Sequence, residues 1–123
     1  MYRFNPYSMG TVHHAVPAVR TFLEEKGYRV SERVSVEELK FIEAFYDLVA
    51  EKEGERTLVA VAYAKHDLLL TELAKALNVK DKVVILAQGS LPTQYKELTR
   101  GRVKVVSFEN VNELEEKLRQ AFL

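Results

Sequence analysis

Cysteine is absent from the chain, which excludes a disulfide framework, a thiolate zinc site and a cysteine nucleophile, and agrees with a reducing, cytoplasmic setting. Net charge is absent as well: 18 Lys and Arg balance 18 Asp and Glu. Any contact with nucleic acid or a membrane must therefore come from a local patch and not from a global field. No apolar run approaches the ~20 residues of a membrane span, and the start, Met1 to Pro6, lacks the apolar centre of a signal peptide. No membrane contact is expected. Asn, Gln and Met are scarce beside Glu, Lys and Arg, a balance of archaeal or thermophilic proteins. What is present is 123 residues, 47% of them hydrophobic, enough for one self-sustaining core and too few for two. A single domain over 1–123 is expected.

Val16, Val19, Leu23 and Phe22 form a helical stripe that Gly27 ends. Pro17 lacks an amide, so the regular helix is expected from near Val16, after an irregular lead-in over 11–15. Tyr28, Val30 and Val34 alternate with polar residues as a strand does, and 36–42 fits neither period. Phe45 to Ala50 and Leu58 to Ala64 flank a polar connector containing Gly54, the pattern of an antiparallel hairpin. On its second strand Val59, Val61, Tyr63 and Lys65 point one way. Ala60, Ala62 and Ala64 point the other, where their small size admits a covering helix. That helix carries Leu70, Leu73, Ala74 and Leu77 behind an expected N-cap at Asp67.

Val83 to Ala87 reads as a parallel strand buried on both faces. Pro92 opens a short helix toward Thr99, and Val103 to Phe108 forms another strand. Asn110 and Glu113 make a capping box for a last helix striped by Val111, Leu114, Leu118 and Phe122. The order α-β-β-β-α-β-α-β-α, a meander followed by crossovers, predicts an α/β fold with a mixed central sheet and helices on both faces.

Period two also arranges the chemistry. Asp47 on one hairpin strand and Lys65, two positions after Tyr63 on the next, are expected to share a patch. In metal-dependent phosphodiester cleavage an Asp, with a second acid two residues before a Lys, holds Mg²⁺ while the Lys acts on water. Tyr46-Asp47-Leu48-Val49-Ala50, the hairpin, and Leu58 through Tyr63-Ala64-Lys65 resemble the core of the PD-(D/E)xK nuclease superfamily. Its archaeal Holliday junction resolvases and Mrr-like restriction endonucleases look most similar. The stretch Leu23 to Val30 resembles the helix-to-strand passage of those resolvases. The resemblance covers roughly 10–88 and implies a restriction endonuclease-like fold, a catalytic set of Asp47 and Lys65, and Asp47 as metal ligand.

The chain departs from that pattern. Tyr63, the third candidate catalytic residue beside Asp47 and Lys65, stands where the family carries the acid of its triplet, and the family's helix-borne Glu falls near Val16, beside His13 and His14. One carboxylate and a tyrosine hydroxyl are a poor set for Mg²⁺, which demands several hard oxygens in octahedral array. Asp67, Glu72 and Glu24 are the acids able to relocate. An ion pair with Lys65 would also account for Asp47. His13, His14 and His66 lack metal-ligand spacing, and Gln88-Gly89-Ser90 is a turn without a full phosphate loop.

Charge adds another signal. From Lys65 to Lys104 eight basic residues face four acids, and Lys96, Arg100, Arg102 and Lys104 are placed to line phosphates on one sheet edge. The expectation is a non-catalytic domain of degenerate PD-(D/E)xK type that needs no cofactor and binds DNA or a protein partner. The alternative is an Mg²⁺-dependent DNA endonuclease with a relocated acid, and the resemblance further implies a homodimer or a catalytic partner subunit.

Overall fold

The computed structural model describes residues 6–34, 46–96 and 101–122, with side chains from residue 15 on and not for 33 and 34. Helix α1 (Pro6–Glu25) leads into β1 (Arg29–Val34), β2 (Tyr46–Lys52) and β3 (Glu55–Tyr63). Helix α2 (His66–Leu77), β4 (Lys82–Gln88), a 3₁₀ turn (Thr93–Tyr95), β5 (Val103–Phe108) and α3 (Val111–Phe122) follow. One sheet holds the strands in the order β1-β2-β3-β4-β5. The β1/β2 and β2/β3 pairs are antiparallel, and β3/β4 and β4/β5 are parallel. The expected mixed sheet is present, with helices on both faces.

Strand alternation sorts the core into two layers. Leu48, Ala50, Val59, Val61, Val84, Leu86 and Phe108 meet Val19, Leu23, Leu114 and Leu118 of α1 and α3. Val49, Leu58, Ala60, Val83, Ile85 and Val105 meet Leu69 and Ala76 of α2. Ala60 and Ala64 thus lie under α2, as their size predicts. The β2–β3 hairpin closes through Glu53 and Gly54, both at positive φ (53° and 83°), the pattern of a two-residue turn that matches strand twist.

Several boundaries differ from the sequence reading. Helix α1 runs from Pro6 straight through Pro17. Pro17 is exposed, so the carbonyl it leaves unpaired can take water, while Ala15, Val19, Phe22 and Leu23 stay buried and hold the helix together. Its end is as expected. Gly27 at φ 93° lets Tyr28 N–H reach Leu23 O and Gly27 N–H reach Glu24 O, a Schellman closure.

Helix α2 starts at His66, two residues earlier than an N-cap at Asp67 would set it. Lys65, already extended, is its N-cap and makes no side-chain cap bond. Its buried face is also rotated: Leu69 and Ala76 are covered, whereas Leu70 and Leu77 are 53% and 79% exposed. Leucines at 68, 69 and 70 leave the period undetermined, and contact with the strand alanines decides it. Residues 97–100 lie outside the described set, so the short helix expected after Pro92 is seen only as the 3₁₀ turn.

Candidate functional site

Asp47 is the second residue of β2. Regular β2/β3 pairing runs from Lys52↔Glu55 to Leu48↔Val59, and its continuation would set Tyr46 opposite Val61. Instead Val61 N–H donates to Asp47 Oδ2 at 2.8 Å. Tyr46 joins the α2-side core although Leu48, two residues on, joins the other. Alternation therefore breaks at Asp47, and the carboxylate stands in for a main-chain carbonyl.

Tyr63 ends β3, half-buried, opposite Gln88. Lys65 lies beyond the strand, exposed, where its N–H donates to Tyr63 O at 2.8 Å. Among the described residues Lys65 forms no ion pair. The β3 neighbour of Asp47 is thus Val61, and Lys65 lies four residues further along, roughly 13 Å for an extended chain.

Of the three acids able to relocate, Glu24 pairs with Arg20 on the exposed side of α1, and Asp67 is exposed in the first turn of α2. Glu72 is different. Burial pushes its carboxyl above the ordinary value, Lys75 opposes that shift, and the Asp47 charge adds to it. Lys75 Nζ stands 2.9 Å from Glu72 Oε1, a charge contact that falls short of an aligned hydrogen bond. The same ammonium lies 4.9 Å from the Tyr46 ring centroid. Asp47 is committed to an amide and Glu72 to an ammonium, and no group of three His, Cys, Asp or Glu suited to a metal occurs among the described residues. This donor set does not fit Mg²⁺. The side chains of His13 and His14 lie outside the described set, and His66 Nδ1 is 2.8 Å from the Tyr95 hydroxyl.

The basic residues divide between two clefts. Lys96 and Lys104 line a cleft of about 400 Å³ along β5, together with Lys117 of α3. Arg102 and Lys104 line a larger one of about 590 Å³ at the opposite end of the parallel strands, with Lys52, Lys82 and Thr57. Arg100 lies outside the described residues. In the larger cleft three cations rest on main-chain carbonyls: Lys52 Nζ on Lys26 O (2.9 Å), Arg102 Nη1 on Asp81 O (3.0 Å) and Lys104 Nζ on Ala121 O (3.0 Å). A carbonyl orients a cation without cancelling its charge. Lys82 is paired, 2.9 Å from Glu55. Thr57, only 9% exposed, makes no side-chain hydrogen bond among the described residues.

Lys52, Lys82, Thr57 and Lys117 were not singled out by the sequence, although a signal for three of them exists. Lys52 continues the face of Leu48 and Ala50, Thr57 that of Val59 and Val61, and Lys82 that of Val84 and Leu86. The Gly89 amide is occupied, donating to Phe108 O at 2.9 Å, so that turn offers no free anion site there.

Among the described residues, no helix is long and apolar enough to cross a membrane. No family model and no curated protein matches the chain. The crystal structure of a protein of unknown function, AF1548, matches it with a TM-score of 0.59 at 18% identity, over 85% of this chain and 66% of that one. The chain thus spans about two thirds of that protein's length, and the likeness shows a shared α/β fold.

Proposed function

We propose that the chain is a degenerate, non-cutting domain of restriction endonuclease-like type that binds nucleic acid through its phosphates. The observation that carries this reading is the larger cleft. Lys52, Arg102 and Lys104 are held in place by carbonyl oxygens and keep their charge, with the buried Thr57 beside them. Contacts of this kind position a backbone and read no sequence.

The altered triplet supports the non-cutting half. Val61 is the neighbour of Asp47 on β3, and an apolar side chain there gives a divalent ion nothing to bind. The test measures binding and cleavage of duplex, junction and single-stranded DNA together. Binding that weakens steeply with salt, without cutting in Mg²⁺ or Mn²⁺, is expected. Cutting that Asp47→Ala and Lys65→Ala both abolish would replace this reading with an endonuclease carrying a relocated acid. No binding at low salt would remove it.

A further inference from the structure

The floor of the larger cleft belongs to the sheet face that meets α1 and α3. Ala50, Thr57 and Lys82 lie directly opposite one another on β2, β3 and β4, and Lys104 of β5 stands opposite Val84, two residues further along. Ala50 is too short to offer the Thr57 hydroxyl a partner, and among the described residues Thr57 is the one buried polar side chain. A buried hydroxyl that makes no hydrogen bond costs free energy until a ligand or water completes it.

Charge narrows the ligand. Lys52, Lys82, Arg102 and Lys104 line the cleft against two acids, Glu53 and Glu55. The surplus of two positive charges exceeds what one internal phosphodiester neutralises. It suits a phosphate monoester, which carries about −1.5 to −2 at neutral pH and three acceptor oxygens. Position narrows the ligand further. Both acids sit at the turn end of the β2–β3 hairpin and are exposed, so a run of successive phosphates leaving on that side would pass two carboxylates. A strand that ends inside the cleft avoids them. Tyr28 and Phe122, edge to face at 5.6 Å, also line the cleft, and its volume of about 590 Å³ leaves room for a terminal sugar and base beside these rings.

We infer that the larger cleft is a site for a phosphate monoester, the phosphorylated end of a nucleic-acid strand, with its oxygens shared by Thr57 Oγ1, Lys52, Arg102 and Lys104. As a strand end, the ligand rests on the nucleic-acid reading above. What is added is that the chain holds a terminus and not the run of a backbone.

The test uses the full chain and internally labelled single strands of about twelve nucleotides, read by anisotropy, with a 5′-phosphate, a 3′-phosphate or hydroxyls at both ends. Thymidine 5′-monophosphate and inorganic phosphate, titrated by calorimetry, are the free sources of the same chemistry. At least one phosphorylated strand is expected to bind about tenfold more tightly than the hydroxyl strand at about pH 7.5. That ratio should shrink toward about pH 5.5, because the monoester takes up a proton at about pH 6, and taking a ratio cancels the titration of protein groups common to both ligands. Thr57→Val removes the hydroxyl and is expected to cut the ratio about fivefold, with binding of the hydroxyl strand unchanged, and Thr57→Ser to restore it. Should Thr57→Val fail to fold, the strand series and its pH dependence still decide. Equal binding of the three strands would overturn the monoester site and leave the backbone reading standing, and an undiminished ratio in Thr57→Val would also overturn the site. Binding of thymidine 5′-monophosphate or inorganic phosphate with no strand bound would uphold the monoester chemistry and sink the nucleic-acid reading. No binding of strand or free ester would remove both.

Discussion

Val61 N–H donates to the Asp47 carboxylate at 2.8 Å, where regular pairing of the hairpin would have used the Tyr46 carbonyl. A carboxylate that could otherwise have served a metal is spent here on the backbone. Its removal is therefore a matter of stability. Asp47→Ala leaves a part-buried amide without an acceptor and is expected to cost about 1–3 kcal/mol, while Asp47→Asn keeps an acceptor and costs less. Urea denaturation of the two variants checks this, and equal midpoints would show that the amide does not depend on the side chain.

Tyr46 is fully buried, yet its hydroxyl has no hydrogen-bond partner in the described structure. Burial and then the nearby Glu72 charge push its pKa up to about 12 from the ordinary 10.0. The folded state holds this proton more tightly than the unfolded state, so the contribution is complete below pH 10 and is lost as pH rises toward 12. Tyr46→Phe is expected to be neutral or stabilising by about 1 kcal/mol at pH 7, since it removes an unpaired polar atom. It should also flatten the alkaline stability slope by about one proton. Denaturation at pH 7 and across pH 10–12 reads both effects.

Glu72 gives an acid-side counterpart. Its raised carboxyl pKa comes first from burial, with Lys75 opposing. A carboxyl raised on folding contributes stability that is complete below its unfolded value of 4.5 and is lost as pH climbs through the raised folded value. Glu72→Gln cannot ionise, so it should lose that decline with pH. Stability curves of the two proteins are expected to converge at acid pH and to separate in slope above pH 4.5. Parallel slopes would mean that Glu72 ionises in the fold as readily as in the unfolded chain.

How much of this was legible beforehand depended on the length over which a pattern repeats. The five strands, their mixed order and the Asn110 cap of α3 follow from short, strong signals, although the Glu113 carboxylate reaches one residue past the amide that a capping box would use. Asn110 Oδ1 accepts Glu113 N–H at 3.3 Å, and Glu113 Oε1 accepts Glu109 N–H at 2.7 Å. The rotation of α2 was not legible, because Leu68, Leu69 and Leu70 satisfy three periods equally and only the neighbouring sheet chooses among them. Asp47 failed for another reason. Its strand departs from alternation at that residue, so a face assigned by counting from Lys65 could not hold. Of the cations of the larger cleft, Arg102 and Lys104 were legible as part of a basic run, whereas Lys52 and Lys82 come from β2 and β4, distant in sequence and brought beside them only by the sheet order.

Those cations yield the prediction that bears most directly on function. Each lysine or arginine that neutralises one phosphate contributes about 0.9 to the slope of log affinity against log salt. Lys52→Ala and Arg102→Ala should each lower the slope for duplex DNA by roughly that amount and weaken binding alike on unrelated sequences. Arg29→Ala, on the far edge strand and 81% exposed beside Glu51, should change neither. Glu55 restrains Lys82 at 2.9 Å and raises its pKa through that bond. Glu55→Gln frees the ammonium, keeps it protonated at neutral pH and should tighten binding with a steeper slope. Fluorescence anisotropy from 25 to about 200 mM salt separates these outcomes. Equal slopes for Arg29→Ala and Arg102→Ala would place the phosphates elsewhere on the molecule.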